Sequence, residues 1–109
     1  MTELRVKTRR AAKLLTADLK HPPSTEELCE AVGLSEFKLK KGFREHFDTS
    51  VGAYLRSARM DKAAELLRAE NVTVASVALE LGYSNSSRFA EAFRKHHGKN
   101  PSEVAELNL

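Results

Sequence analysis

A chain of 109 residues, 41% of them hydrophobic, can build one compact domain or two small helical lobes and is too apolar for a disordered tail. Its formal charge of +3 suits a polyanionic partner without requiring one. No stretch approaches the roughly 20 apolar residues that span a bilayer, MTELRVKTRR has no apolar signal-peptide core, and one cysteine cannot close an internal disulfide, as expected of a chain in a reducing cytoplasm.

Apolar residues recur at helical steps and no run alternates strictly enough for a strand, so the chain reads as all-α with seven helices. Leu4, Ala11, Leu15 and Leu19 make one stripe, predicting a first helix over about residues 3–19, stopped by His21-Pro22-Pro23. Ser24-Thr25-Glu26-Glu27 is a capping box; it opens a short helix that Gly33 ends. Ser35 caps a third helix over about 36–47. Tyr54, Leu55, Ala58, Met60, Ala63, Leu66 and Leu67 predict a long helix from about Val51 to Ala69, closed by Asn71. Thr73 caps a fifth helix to Leu81, before Gly82, and Ser84 caps a sixth over about 86–97, stopped by Gly98. Asn100-Pro101-Ser102-Glu103 starts the last one, with Asn as cap, Pro in the first turn and Glu three residues past the cap. Lobe one then covers about residues 1–50, a bridging helix about 51–70, and lobe two about 71–109.

The two lobes repeat one pattern. Gly33 matches Gly82 at an offset of 49, while Leu39 matches Phe89, Phe43 matches Phe93, Arg44 matches Arg94 and His46 matches His96 at an offset of 50. The second copy therefore carries one extra residue in or just after the turn. Each copy is a short helix, a tight glycine turn and a second helix, with a small residue four before the glycine: Cys29 in one, Ala78 in the other. A helix-turn-helix needs that smallness where its second helix crosses closely. Cys29 is read as this crossing residue rather than as a redox switch, with burial raising its pKa.

The tandem units, the bridge SVGAYLRSARMDKAAELL and the ending LGYSNSSRFAEAFRKHHGKNPSE resemble the DNA-binding domain of AraC/XylS-type transcription regulators over about residues 8–107. KHPPSTEELCEAVGLSEFKLKKGFREHF is similar to the branch of that family that responds to iron-siderophore signals. The resemblance implies a seven-helix, two-lobe domain that binds double-stranded promoter DNA in bacteria, with RNA polymerase as a further partner and no cofactor. Most members carry a separate sensor and dimerisation domain, usually N-terminal, and a few consist of the DNA-binding domain alone. This chain starts about where that domain starts, so both remain open. It departs from the pattern in the first unit, where Asp48 and Val51 stand in place of the second unit's Gly98 and Pro101.

Helical geometry sorts the side chains of the two second helices. In the third helix Leu39, Gly42, Phe43, His46 and Phe47 fall on one side; Phe37, Lys40, Lys41 and Arg44 fall on the other, with Lys38 on a flank. An exposed aromatic among cations calls for a partner, and a thymine methyl or sugar edge in a major groove would supply one. In the sixth helix Phe89, Ala92, Phe93 and His96 turn inward, Ser87, Ala90, Glu91 and Arg94 outward, with Arg88 and Lys95 flanking. Ser87 thus takes the slot of Phe37, Glu91 that of Lys41 and Arg88 that of Lys38. The first head is cationic; the second is small and carries a carboxylate that can accept from a cytosine amino group or orient Arg88 or Lys95. The first should then supply more non-specific affinity and the second depend more on sequence, over an asymmetric site.

The base-reading candidates are Phe37, Lys40, Lys41, Ser87, Arg88 and Glu91. The phosphate candidates are Ser35, Lys38, Arg44, Arg56, Arg59, Ser84, Arg94 and Lys95, with Arg56 and Arg59 equally able to pair with Asp61 or Glu65. Arg5, Lys7, Arg9, Arg10 and Lys13 form either a solvated face of the first helix or further phosphate contacts. A bridge of about 19 residues is roughly 28 Å long, against about 34 Å for one turn of B-DNA. The adjacent His96 and His97 should point about 100° apart and fail to share a metal. No HExxH, paired cysteines, phosphate-cradling glycine loop or nucleophile–base pair is present, so neither a metal site nor an enzyme is expected. The alternative function is a basic helical module that binds an acidic protein without reading DNA sequence.

Overall fold

A computed structural model describes residues 2–106; Met1 and residues 107–109, at the ends of the expected lobes, lie outside the described residues. Among the described residues there are seven helices and no strand: α1 (Thr2–Thr16), α2 (Thr25–Val32), α3 (Glu36–Phe47), α4 (Val51–Leu66), α5 (Val74–Glu80), α6 (Ser86–His97) and α7 (Pro101–Glu106). None of these helices is long and apolar enough to cross a membrane. The chain forms two compact units, Met1–Arg56 and Ser57–Leu109, with the division inside α4.

In the first unit, α1 ends at Thr16 rather than near residue 19. Thr16 Oγ1 donates to the carbonyl of Ala12 (3.0 Å), and Asp18 Oδ1 accepts from the amides of Lys20 (3.1 Å) and His21 (3.2 Å). These three bonds give the backbone an alternative to another helical turn. The capping box of α2 is closed in both directions, Ser24 Oγ accepting from Glu27 N at 3.1 Å and Glu27 Oε1 from Ser24 N at 2.8 Å. Gly33 then turns the chain at φ 71°. Behind this turn lies a core of Ala11, Ala12, Leu15, Leu28, Val32, Leu39 and Phe43, against which Cys29, Phe47, Val51, Tyr54 and Leu55 are half-buried. Phe43, Phe47 and Tyr54 meet ring to ring at centroid distances of 4.7–5.4 Å, which favour tilted and edge contacts.

The tightest crossing in this unit belongs to Gly42 of α3 and Thr8 of α1. A β-carbon placed on Gly42 would overlap Thr8 Oγ1 and lie 3.2 Å from Thr8 Cβ. Thr8 is wholly buried and its hydroxyl has no hydrogen-bond partner. The cap after α3 forms without a glycine: Asp48 takes φ 53°, ψ 37°, and its amide donates to the carbonyl of Arg44 at 3.1 Å.

In the second unit Met60, Ala63, Leu67, Val77, Ala78, Leu81, Phe89, Phe93 and, on α7, Val104 are buried. α4 stops at Leu66, three residues sooner than its apolar pattern suggests. The amides of Arg68 and Ala69 bond carbonyls three residues back, tightening the last turn, and Asn71 leaves at φ 62°. The bridging helix is therefore 16 residues, or about 24 Å. Thr73 and Ser76 form the cap of α5, and Glu103 Oε2 accepts from Asn100 N at 2.7 Å ahead of α7.

The two glycine turns share one closing bond. Leu34 N bonds the carbonyl of Cys29 (3.1 Å), and Tyr83 N bonds that of Ala78 (2.9 Å). The extra residue of the second copy therefore follows Tyr83: it is Ser84. That corrects one expectation. Ser84 does not cap α6; Asn85 does, its Oδ1 accepting from the amides of Ser87 (2.8 Å) and Arg88 (3.2 Å).

Candidate nucleic-acid interface

The outer face of α3 follows from its inner one. Leu39, Gly42 and Phe43 are buried, which turns Phe37, Lys38, Lys40, Lys41 and Arg44 to solvent. Phe37 is 75% exposed, so it does not pack beneath α1. It borders a small pocket with Glu3, Leu4, Leu34, Lys38 and Lys41. Ser35 caps the helix, its Oγ accepting from Lys38 N at 3.2 Å. Lys40 pairs with Glu36 at 2.9 Å across one helical turn, an exposed pair that a phosphate can displace at little cost. His46, expected inward, is exposed near the end of α3, where Phe47 takes the last inward place against Tyr54.

On α6, Phe89 and Phe93 are buried while Ser86, Ser87, Arg88, Glu91, Arg94 and Lys95 are exposed. Ala90, expected on the outer face, is half-buried, and so is Ala92. Among the described residues Glu91 makes no ion pair with Arg88 or Lys95, leaving its carboxylate able to accept a hydrogen bond from outside. Arg94 is held, its Nη1 donating to Asn100 Oδ1 at 2.9 Å. Arg56 is exposed on α4. Arg59 is half-buried, with its guanidinium 5.6 Å from the centre of the Tyr83 ring.

A pair of clefts repeats with the fold. In the first unit a cleft is lined by Thr25, Lys40, Arg44, Thr49, Ser50, Val51 and Gly52, at the amide end of α4, where Ser50 Oγ accepts from Ala53 N. In the second, the matching cleft is lined by Val74, Ser86, Ser87, Ala90, Asn100, Pro101 and Ser102. Lys40 and Ala90 hold equivalent places, as do Ser50 and Asn100. One cleft joins two cations to a helix N-terminus, a combination that attracts phosphate; the other offers neutral hydroxyls and an amide. Thr25, Thr49, Ser50 and Asn85 were not singled out by the sequence. The repeat offset of 50, already in force at Ser35, is the signal that gives Asn85.

The adjacent histidines do not diverge as their spacing predicts. Their ring centroids are 4.6 Å apart. His96 Nε2 is 3.1 Å from Asp61 Oδ1, and His97 Nε2 is 2.8 Å from the carbonyl of Met60. Both rings turn toward α4, which overrides the angle between their Cβ atoms. Cys29, half-buried, has its thiol pKa raised, first by desolvation and then by Glu36 and Glu26.

A helix-turn-helix domain family matches residues 28–106. The HTH-type transcriptional regulator YdeO of Shigella flexneri is 34% identical over 93 residues, which cover 85% of this chain and 36% of that protein. The HTH-type transcriptional activator RhaR of Escherichia coli (strain K12 / MC4100 / BW2952) is 30% identical over 94 residues, covering 86% and 33%. The chain spans about a third of the length of the curated relatives it matches. Among solved structures, a DNA-binding transcriptional dual regulator from Escherichia coli K-12 is 27% identical with a TM-score of 0.82, over 93% of this chain and 96% of that one. An AraC-type regulator from Chromobacterium violaceum reaches a TM-score of 0.90 over 99% and 96% at 24% identity, a likeness of fold.

Proposed function

Because the chain belongs to the AraC-type helix-turn-helix family of transcription regulators, we propose that it binds double-stranded promoter DNA, with α3 and α6 in successive major grooves, and so regulates bacterial transcription. The observation that carries this is Phe37, three-quarters exposed on a side of α3 that also presents Lys38, Lys40, Lys41 and Arg44. Burial cannot explain an aromatic there, and a groove rimmed by phosphates, which those cations would meet, can.

In this reading Phe37, Lys40 and Lys41 meet base edges or the sugars beside them from α3, the two ammonium groups also neutralising the phosphates that flank those bases. Ser87, Arg88 and Glu91 do so from α6. Lys38, Arg44, Arg56, Arg59, Arg94 and Lys95 hold phosphates, aided by the amide ends capped by Ser35 and Asn85; Ser84, displaced from the cap, adds a hydroxyl at most. RNA polymerase is the partner through which activation would act, and a cytoplasmic location follows. The proposed role is binding rather than catalysis. The matched region is about a third of the relatives' length, and a sensor and dimerisation domain is proposed for a longer form of this protein.

The test begins with selection of bound sequences from a random duplex pool, followed by gel shift at physiological salt. The selected duplex should bind at least about 10³-fold more tightly than random DNA. Phe37→Ala should weaken that binding by roughly tenfold while leaving stability within about 0.5 kcal/mol, as expected of an exposed side chain. Equal affinity for selected and random duplex would support an acidic protein partner instead.

A further inference from the structure

The second unit holds a group of side chains that the DNA-binding reading does not use. Asp61 of α4 and His96 and His97 of α6 each present one ligand atom, and these atoms lie within 4.8 Å of one another. The geometry points to a divalent transition-metal site here, suited to Zn²⁺, Ni²⁺ or Co²⁺.

Three features support it. First, the donor set is two imidazoles and a carboxylate, the ligands that suit these ions. Second, the two outer atoms are already close to a chelating distance. His96 Nε2 and Asp61 Oδ1 are 3.1 Å apart, and two bonds of about 2.1 Å at a tetrahedral angle need about 3.4 Å. The ligand atoms of the three residues lie within 4.8 Å of one another, a wider limit than a bound ion would set, and the exposed Asp61 has the room to move. Third, His97 is set up as a ligand from behind. Its Nε2 is 2.8 Å from the Met60 carbonyl. A carbonyl can only accept, so Nε2 carries the proton and neutral His97 keeps its lone pair on Nδ1. A backbone carbonyl behind the ring is the usual support of a metal-bound histidine.

The site's place in the fold adds to this. His96 and His97 are the last two residues of α6, ahead of the Gly98 cap, where the exposed carbonyl ends favour a cation. In the metal-free state the His96 proton lies between Nε2 and Asp61. A metal ion takes its position, and neutral His96 ligates through Nε2 with its one ring proton carried on Nδ1. Bound metal would join α4 to α6 inside the second unit and stabilise its folded form alone.

The test uses the whole chain without a histidine tag, titrated with Zn²⁺ and with Co²⁺. One ion should bind per chain, Co²⁺ should develop a visible absorption band, and saturating Zn²⁺ should raise the melting temperature of the second unit by at least about 5 °C. Asp61→Asn and His96→Gln should each weaken binding at least about tenfold, and His46→Gln should not change it. In the unsubstituted protein, Co²⁺ should shift the ring proton resonances of His96 and His97 while sparing His21 and His46. That readout does not depend on any variant folding. Absent binding, or binding unchanged by Asp61→Asn with no selective shift at His96 and His97, would overturn the assignment.

Discussion

Gly42→Ala is the most exacting test of how the first unit is packed. The new β-carbon would overlap Thr8 Oγ1 and lie 3.2 Å from Thr8 Cβ and 3.3 Å from Cγ2, where carbon atoms settle at about 3.5–4.0 Å. Thr8 has no open side to turn toward, being wholly buried. Either it leaves its rotamer or α1 and α3 move apart, loosening Ala11, Ala12, Leu39 and Phe43. Overpacking of this kind costs about 1–3 kcal/mol. Alanine's helix preference over glycine returns about 1 kcal/mol. With the hydroxyl overlap placing the cost at its upper end, the net loss is about 2 kcal/mol. Thr8→Ala alone should be nearly neutral, because the lost methyl is offset by removal of an unsatisfied buried hydroxyl worth about 1–3 kcal/mol. In that background Gly42→Ala should cost almost nothing, giving a coupling of about 2 kcal/mol. Urea unfolding in a Tyr83→Phe background leaves Tyr54 as the fluorescent reporter of the first unit. Effects that add to within about 0.5 kcal/mol would refute the crossing as described.

Three further outcomes are expected. Asp48→Gly should raise the urea midpoint of the first unit by the equivalent of about 0.5–1 kcal/mol at constant m-value, since Asp48 holds a left-handed conformation and a negative charge at a helix C-terminus. Each phosphate neutralised contributes about 0.9 to the salt slope of DNA binding, so Lys40→Ala plus Lys41→Ala should lower it by up to about 1.8. Arg88→Ala plus Arg94→Ala should lower it less, because Arg94 is tied to Asn100, and an equal fall would sink the contrast between the heads. Desolvation and the neighbouring Glu36 and Glu26 raise the Cys29 pKa, so folding favours the neutral thiol. That contribution is whole below the unfolded thiol's pKa and disappears as pH rises through the folded one. A thiol reagent at pH 8 should therefore modify the folded chain more slowly than the urea-unfolded chain, and Glu36→Gln should speed it.

Where the capping side chain was read correctly the element was legible to the residue: α2 and α3 begin where Ser24 and Ser35 put them, whereas α6 keeps its expected bounds although Asn85, not Ser84, caps it. The α1 and α4 ends were overrun because Leu19, Leu67 and Ala69 continue a helical stripe. What stops those helices is a competing bond from Thr16 and Asp18 and a tightened turn before Asn71, which apolar periodicity does not register. The split of α3 into a buried and a cationic face was legible, since Phe43 and Leu39 leave only one direction for Lys40 and Lys41. His46 was misplaced because a wheel has no end, whereas a helix does. The convergence of His96 and His97 was beyond the sequence: it depends on Asp61 and the Met60 carbonyl, 35 and 37 residues away.

The paired clefts have a consequence for how a gene could be addressed. Two identical subunits on a palindrome can be exchanged end for end with no change in fit. Here one backbone shape occurs twice within a single polypeptide, once with Lys40 and Arg44 at its mouth and once with Ala90 and Ser87. Turned around on its duplex, such a chain would mismatch both halves together. The order of those side chains from N- to C-terminus would then give the proposed complex a single direction along its duplex.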